Sequence, residues 1–263
     1  MDIVILAGGR GTRLSEKTGI MPKPLITIGG KPILWHIMKI YSSYGHNDFI
    51  IPLGYKGHEI KKYFINYPWL YTNVLKVTLG KVETAKLKEH WNIIMADTGI
   101  NTFTQKRLYL VRNYIKSDQF MLTYGDGVAD INLDKLVKHH NNMVKKYGIL
   151  GTITTYRPLS RFGVVQQSGS LIKSFKEKPQ MDNMINAGFM IFEREVLDAL
   201  TNSNVSLEGL DGGGAAALLI KLSRKGKLAY YLHNGFWESM DTYRDYVRLN
   251  KLWENNKPWK TWR

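Results

Sequence analysis

Ile3–Leu14, IVILAGGRGTRL, decides the fold. Its first residues, Ile3 to Ala7, are continuously apolar and run into glycine, the pattern of a short strand buried on both faces of a parallel sheet. Gly8, Gly9 and Gly11 then supply a turn in which the main chain can approach a ligand closely and aim its amides at an anion, with Arg10 and Arg13 adding positive charge. A tight strand-to-helix turn without a ligand would use the same glycines. The turn lacks the Gly-Lys-Ser/Thr ending of a P-loop, and its glycine spacing is wrong for the dinucleotide fingerprint, so neither an ATPase nor a dehydrogenase follows.

Beyond that turn, strands and helices alternate. Ile33–Tyr44 repeats at helical spacing, with Ile33, His36, Ile37, Ile40, Tyr41 and Tyr44 on one face and Pro32 expected in the first turn. Asp48–Leu53 reads as a strand and Gly57–Tyr67 as a helix that Pro68 terminates. Lys76–Thr78, Ile93–Met95 and Phe120–Thr123 read as strands, Lys106–Tyr114 and Leu133–Lys146 as helices. This order predicts an α/β fold. After Gly151 the segments shorten, with strands expected at Thr152–Tyr156, Gly163–Gln166, Leu171–Phe175 and Gly188–Phe192, before a helix over Leu218–Arg224. Without a repeat or long linker, a chain of 263 residues is read as one domain.

Composition narrows the function. Hydrophobic residues at 44% indicate a globular chain, and zero cysteines exclude disulfides, Cys-ligated zinc and a thiol nucleophile. The apolar run at the start is too short for a signal peptide core or a membrane span, so no membrane partner and a cytoplasmic location are expected. Lys and Arg number 37 against 22 Asp and Glu, a net charge of +15. No nucleic-acid-binding pattern accompanies that charge, so no nucleic-acid partner is expected. Solvated surface lysines or attraction of a polyanionic substrate such as a triphosphate would each account for it.

Several residues away from the turn could carry chemistry. In Met21-Pro22-Lys23-Pro24-Leu25 two prolines restrict the backbone around one lysine, which lowers the ordering cost of presenting it to phosphate, although most loop lysines are simply solvated. Asp126, in Tyr124-Gly125-Asp126-Gly127, follows a strand end, where α/β sheets bind ligands, though Gly-Asp-Gly is also good turn chemistry. Asp241 precedes a helix expected over Thr242–Trp253 and is equally an ordinary helix-start acid. The aromatic tail Phe236–Trp262 reads mainly as packing. His139 and His140 are adjacent on a helix, cannot chelate together, and are expected to be solvated.

Taken together, LAGGRGTRL, MPKPL and IGGKPILWHIMK resemble the sugar-phosphate nucleotidyltransferases. More narrowly, WHIMKIYSSYGHNDFIIPLGYKG, the Asp97-Thr98-Gly99 triplet, TYGDGVADI and GFWESMDTYRDYVRLNKLWENNKPWKTW are similar to the branch that joins CTP to glucose 1-phosphate, across Ile3–Trp262. The resemblance implies a Rossmann-like three-layer α/β/α nucleotidyltransferase fold with a mixed central sheet and a β-rich sugar-binding lobe. Residues 1–130 would serve mainly the nucleotide, and 131–263 mainly the sugar and a C-terminal helical part.

The implied partners are CTP and a sugar 1-phosphate, the implied cofactor Mg²⁺, and the implied assembly a homo-oligomer. Leu6, Ala7, Gly8, Gly9, Gly11, Thr12, Arg13, Lys23, Arg107, Gly125 and Asp126 would hold the nucleotide, Arg107 as a base contact. Asp126 and Asp241 would hold the metal. Gly163, Glu177, Lys178 and Asn186 would hold the sugar phosphate, and Arg13, Lys23, Asp126, Lys178 and Asp241 would act in catalysis. Two departures stand out from the family pattern: Ala215-Ala216-Ala217, after three glycines, replaces an acidic, proline-containing stretch, and Gln105-Lys106 replaces paired glycines. The same chemistry on another sugar or nucleotide, or a non-catalytic nucleotide-sugar-binding relative, are the alternatives.

Overall fold

Strand β1 (Asp2–Leu6) is apolar because it lies inside the sheet, hydrogen-bonded on both edges. Ile3 and Ile5 enter one core and Val4 the other, all fully buried, so the alternation of the strand feeds both faces. Each such burial contributes about 1.5–3 kcal/mol. The computed structural model describes residues 1–14, 17, 19–72, 75–78, 81–84, 87–200 and 216–262.

From β1 the chain forms helix α1 (Ile33–Ser42), β2 (Asp48–Leu53), α2 (Gly57–Tyr71), β3 (Asn92–Asp97), α3 (Thr104–Val111) and β4 (Gln119–Tyr124). β2 lies parallel beside β1 and β3 beside β2, whereas β4 returns to the opposite edge of β1. That reversal makes the β1/β4 boundary a switch point, where the crevice at the strand carboxyl ends opens. α1 and α2 pack on one face of the sheet, and Leu108 and Val111 of α3 on the other.

β5 (Gly127–Ala129), α4 (Leu133–Tyr147), β6 (Gly151–Tyr156), β7 (Val164–Ser168), β8 (Leu171–Lys176), β9 (Ile185–Asn186) and β10 (Met190–Glu193) follow, then α5 (Ala216–Arg224), β11 (Leu228–His233), β12 (Trp237–Ser239) and α6 (Tyr243–Asn255). β10 runs antiparallel between β4 and β6, and β11 lies parallel to β6, which makes the sheet mixed. Much of the β-rich second half is therefore central sheet. Among the described residues, β7 and β8 pair only with each other.

Three local expectations are corrected. Pro68 lies inside α2, which continues to Tyr71. Its missing N–H is offset by an aromatic cluster: Trp35 donates to the Tyr67 hydroxyl at 2.8 Å, and the Tyr67 and Tyr71 rings lie 4.6 Å apart. Pro32 is the residue before α1 rather than in its first turn. α1 is buried beyond the single expected face, Leu34, Trp35 and Met38 included, because the aromatic tail covers its outer side. His36 meets Trp253 at 4.5 Å between ring centroids, and Trp35 meets Trp262 at 5.6 Å. The tail is packing, as read.

Candidate active site

At the switch point a cavity of ≈620 Å³ opens over the ends of β1, β3 and β4. Every residue assigned to the nucleotide lines it, from Leu6 and Ala7 through Gly8, Gly9, Gly11, Thr12 and Arg13 to Lys23, Arg107, Gly125 and Asp126, and Asp241 joins them. The loop after β3 completes the wall with Ile100, Asn101, Thr102, Phe103 and Thr104, which the sequence reading passed over. Their signal was position: they follow Asp97-Thr98-Gly99 at a strand's carboxyl end. Arg10 bonds across the mouth to Asn101 Oδ1 at 2.9 Å.

Lys23 joins the two aspartates. Its Nζ lies 2.7 Å from Asp126 Oδ2 and 2.9 Å from Asp241 Oδ1, partners 103 and 218 positions away in the chain. The backbone brings them together. Gly125 N donates to Leu6 O at 3.0 Å, fixing the turn beside β1, and β5 pairs antiparallel with β12, Gly127 opposite Ser239. Met240 N then donates to Asp126 O at 2.8 Å, so the residues flanking each aspartate are stitched together.

Asp241 stands just before α6, whose cap is Thr242, and its own N–H bonds Asp245 Oδ2 at 3.1 Å. Ser239 Oγ donates to Asp241 Oδ2 at 3.1 Å, and Arg13 Nη2 lies 3.3 Å from Oδ1.

Charge follows this geometry. Burial by itself pulls the Lys23 pKa down, but the Coulomb field and hydrogen bonds of Asp126 and Asp241 outweigh it and raise the net value. Burial pushes Asp241 up, while Lys23, Arg13 and Ser239 together hold it below the usual carboxylate range. The result is a charged, half-buried triad whose carboxylate oxygens face one cation. Two carboxylates converging through oxygen on a single cation suit a hard divalent ion such as Mg²⁺, which takes one or two carboxylates plus phosphate oxygens and water. Among the described residues there is no cluster of three or more His, Asp or Glu that would build an all-protein cage.

Arg107 lines the cavity but turns its guanidinium into the protein. It is 4% exposed, and its Nη1 and Nη2 donate to Leu53 O, Thr98 Oγ1, Gly8 O and Ile100 O at 2.6–3.3 Å. Burial lowers its pKa, with Asp97 opposing.

The sugar-side residues stand apart from this cavity. Glu177 and Lys178 follow β8, are more than half exposed, and approach each other at 3.5 Å. Gly163 lies against Phe175 and Glu177. Asn186 is linked to the cavity indirectly, donating to the hydroxyl of Tyr124, a lining residue, at 3.2 Å. The expectation of solvated histidines is corrected for His140, which is fully buried and bonded to Thr152 Oγ1 at 2.8 Å and Glu193 Oε1 at 3.0 Å; His139 is partly exposed and bonds Tyr230 O at 2.9 Å. The His140 ring answers two protein oxygens inside the fold and is shut off from solvent, whereas His139 stays partly exposed. Of the 211–217 departure, residues 211–215 lie outside the described residues.

The nucleotidyl transferase family profile matches residues 3–256. A glucose-1-phosphate cytidylyltransferase of Salmonella typhi is 44% identical over 270 residues, with all of both chains covered. Its namesake from Salmonella typhimurium (strain LT2) shows the same identity and coverage. Among solved structures, the inositol-1-phosphate CTP transferase of T. maritima superposes with a TM-score of 0.62 at 14% identity, covering 97% of this chain and 96% of its own, which speaks to the fold alone. By profile and by full-length identity, the chain belongs to the nucleotidyl transferase family, on the branch of the glucose-1-phosphate cytidylyltransferases.

Proposed function

We propose that this chain condenses CTP with α-D-glucose 1-phosphate to give CDP-glucose and pyrophosphate, with Mg²⁺ as cofactor. The observation that carries the reading is the meeting of Lys23, Asp126 and Asp241 in a cavity walled by a glycine-rich turn. The identity of the two Salmonella enzymes supports the choice of substrates. An oxygen of the sugar phosphate attacks the α-phosphorus of CTP; the bond from that phosphorus to the bridging oxygen of the β-phosphate breaks, and pyrophosphate leaves with the electron pair.

When bound, Mg²⁺ would supply charge neutralisation at the phosphates, with Asp126 and Asp241 as its protein ligands. The chain's residues do the rest. The turn from Gly8 to Gly11 offers main-chain donors to the triphosphate, and Arg13 brings an exposed cation to the same edge. Lys23, released from the aspartates, moves its ammonium onto phosphate. Glu177 suits sugar hydroxyls because a carboxylate accepts two hydrogen bonds, and Lys178 suits the sugar phosphate. No covalent intermediate with the protein is required.

We also read the chain as cytoplasmic and homo-oligomeric. No helix among the described residues is long and apolar enough to cross a membrane. The β7–β8 hairpin leaves Leu171, Ile172 and Phe175 largely exposed, and an isolated apolar hairpin is better stabilised against a second copy.

The test is pyrophosphate release from a panel of nucleoside triphosphates and sugar 1-phosphates with Mg²⁺. CTP with glucose 1-phosphate is expected to lead, and Asp126→Asn to lower turnover by about 10³-fold with the fold retained. UTP or dTTP ahead of CTP would overturn the nucleotide assignment, and wild-type turnover in Asp126→Asn the role of that carboxylate.

A further inference from the structure

The guanidinium of Arg107 lies where three loops meet. From α3 it reaches the carbonyl of Gly8 after β1, the carbonyl of Leu53 at the end of β2, and both Thr98 Oγ1 and the carbonyl of Ile100 after β3. All four acceptors are uncharged oxygens of the protein. Gly8 and Gly54 lack a Cβ at the two points where one would collide with the guanidinium, so the loops close directly onto it. Thr98 Oγ1 also donates to Leu53 O at 2.6 Å, and Tyr55 N donates to Gly8 O at 3.2 Å.

These contacts fix one peptide plane. In a trans peptide the C=O and the following N–H point in opposite directions. With the Gly8 carbonyl held by Arg107 Nη2 and Tyr55 N, the Gly9 N–H is turned away from the guanidinium. Gly9 is exposed, and a Cβ there would meet nothing within 4 Å, so the turn is uncrowded at this residue.

We propose that Arg107 is a positioning residue: by holding the Gly8 carbonyl it presents the Gly9 amide to the nucleotide's phosphates, and it does not read the base. This deepens the proposed function and rests on it. A positioning role predicts a loss shared by every ligand carrying the polyphosphate, whereas a base contact predicts a change in nucleotide choice.

The experiment is calorimetric binding of CTP, UTP and inorganic tripolyphosphate to wild type, Arg107→Lys, Arg107→Met and Thr98→Val, with thermal melts alongside. Arg107→Met is expected to weaken all three ligands by about tenfold or more, Arg107→Lys to recover part of that loss, and the CTP to UTP ratio to stay at the wild-type value. Thr98→Val, which keeps the shape and removes one acceptor, is expected to weaken the three ligands by about threefold in the same proportion. The KM for glucose 1-phosphate should not move. Tripolyphosphate binding equal to wild type in both arginine variants, or a shifted CTP to UTP ratio, would overturn the proposal while leaving the proposed function intact. Failure of wild type to bind either CTP or tripolyphosphate would overturn both.

Discussion

The two ends of the candidate substrate path are built differently. On the nucleotide side, Lys23, Asp126 and Asp241 are held by packed strands, a stitched β5–β12 ladder and a charge triangle that needs no ligand to close. On the proposed sugar side, Glu177 and Lys178 follow a hairpin whose residues are mostly exposed and whose strands, among the described residues, pair only with each other. Lys178 also takes a left-handed φ of 44°, unfavourable for a residue with a Cβ. One half is held by packing and internal charge pairs; the other is a formed hairpin whose side chains are mostly exposed.

The largest effect expected from this contrast is at Lys23. Lys23→Met should lower turnover by about 10²–10³-fold, because the charge that would move onto phosphate is gone. It should also bind Mn²⁺ more tightly than wild type in the absence of nucleotide, measured by electron paramagnetic resonance, since the ammonium that competes for Asp126 and Asp241 has been removed. Weaker Mn²⁺ binding in this variant would break the picture of Lys23 as the occupant of the carboxylate pair.

A smaller effect concerns the foundation of the nucleotide side. His36 Nε2 donates to Ile28 O at 2.8 Å and Nδ1 accepts from Trp259 Nε1 at 3.3 Å, a pattern only the neutral ring with the proton on Nε2 satisfies. Burial pushes its pKa down to about 4. The folded value lies below the unfolded one, so between roughly pH 6.5 and 4 the unfolded chain holds more protons. His36 therefore lowers stability as pH falls through that window, by about 3 kcal/mol in total. Urea unfolding at pH 7 and pH 4.5 should show the loss, and His36→Asn should show a shallower pH slope. An unchanged slope would mean that the tail does not hold this ring neutral.

The smallest effect is expected on the exposed side. Lys178→Met should raise the KM for glucose 1-phosphate about tenfold, leave CTP binding unchanged and shift stability by no more than about 0.5 kcal/mol. An equal loss for CTP would show the two sides to be one coupled site.

Much of this was legible in the chain. The Ile3–Ala7 run, the glycine turn and the alternation of apolar segments are short-range patterns, and the sheet was found where they point. That the residues assigned to the nucleotide would share one cavity was also legible for those beside strand ends, Leu6, Ala7, Gly8, Gly9, Gly125 and Asp126, whereas Lys23 sits in a turn between prolines and Arg107 inside α3. The strands that close the site were not legible. β5 and β12 span three residues each, too few for any periodicity to register, and β11 carries no clear alternation. Pro68 misled because the helix rule is local while the aromatic cluster that overrides it is assembled from Trp35, Tyr67 and Tyr71.

Sequence alone determined the chemistry that is available: glycines where a backbone must approach a ligand, a lysine between prolines, and aspartates at strand and helix ends, all set by the bonding of neighbouring residues. Only the tertiary structure decided how those groups are used. Asp126 and Asp241 meet because a backbone ladder joins segments distant in the chain, and Arg107 turns inward because four carbonyl and hydroxyl oxygens, buried by the fold, require its donors. Hydrogen-bond satisfaction on burial is a property of the packed whole, and no local pattern encodes it.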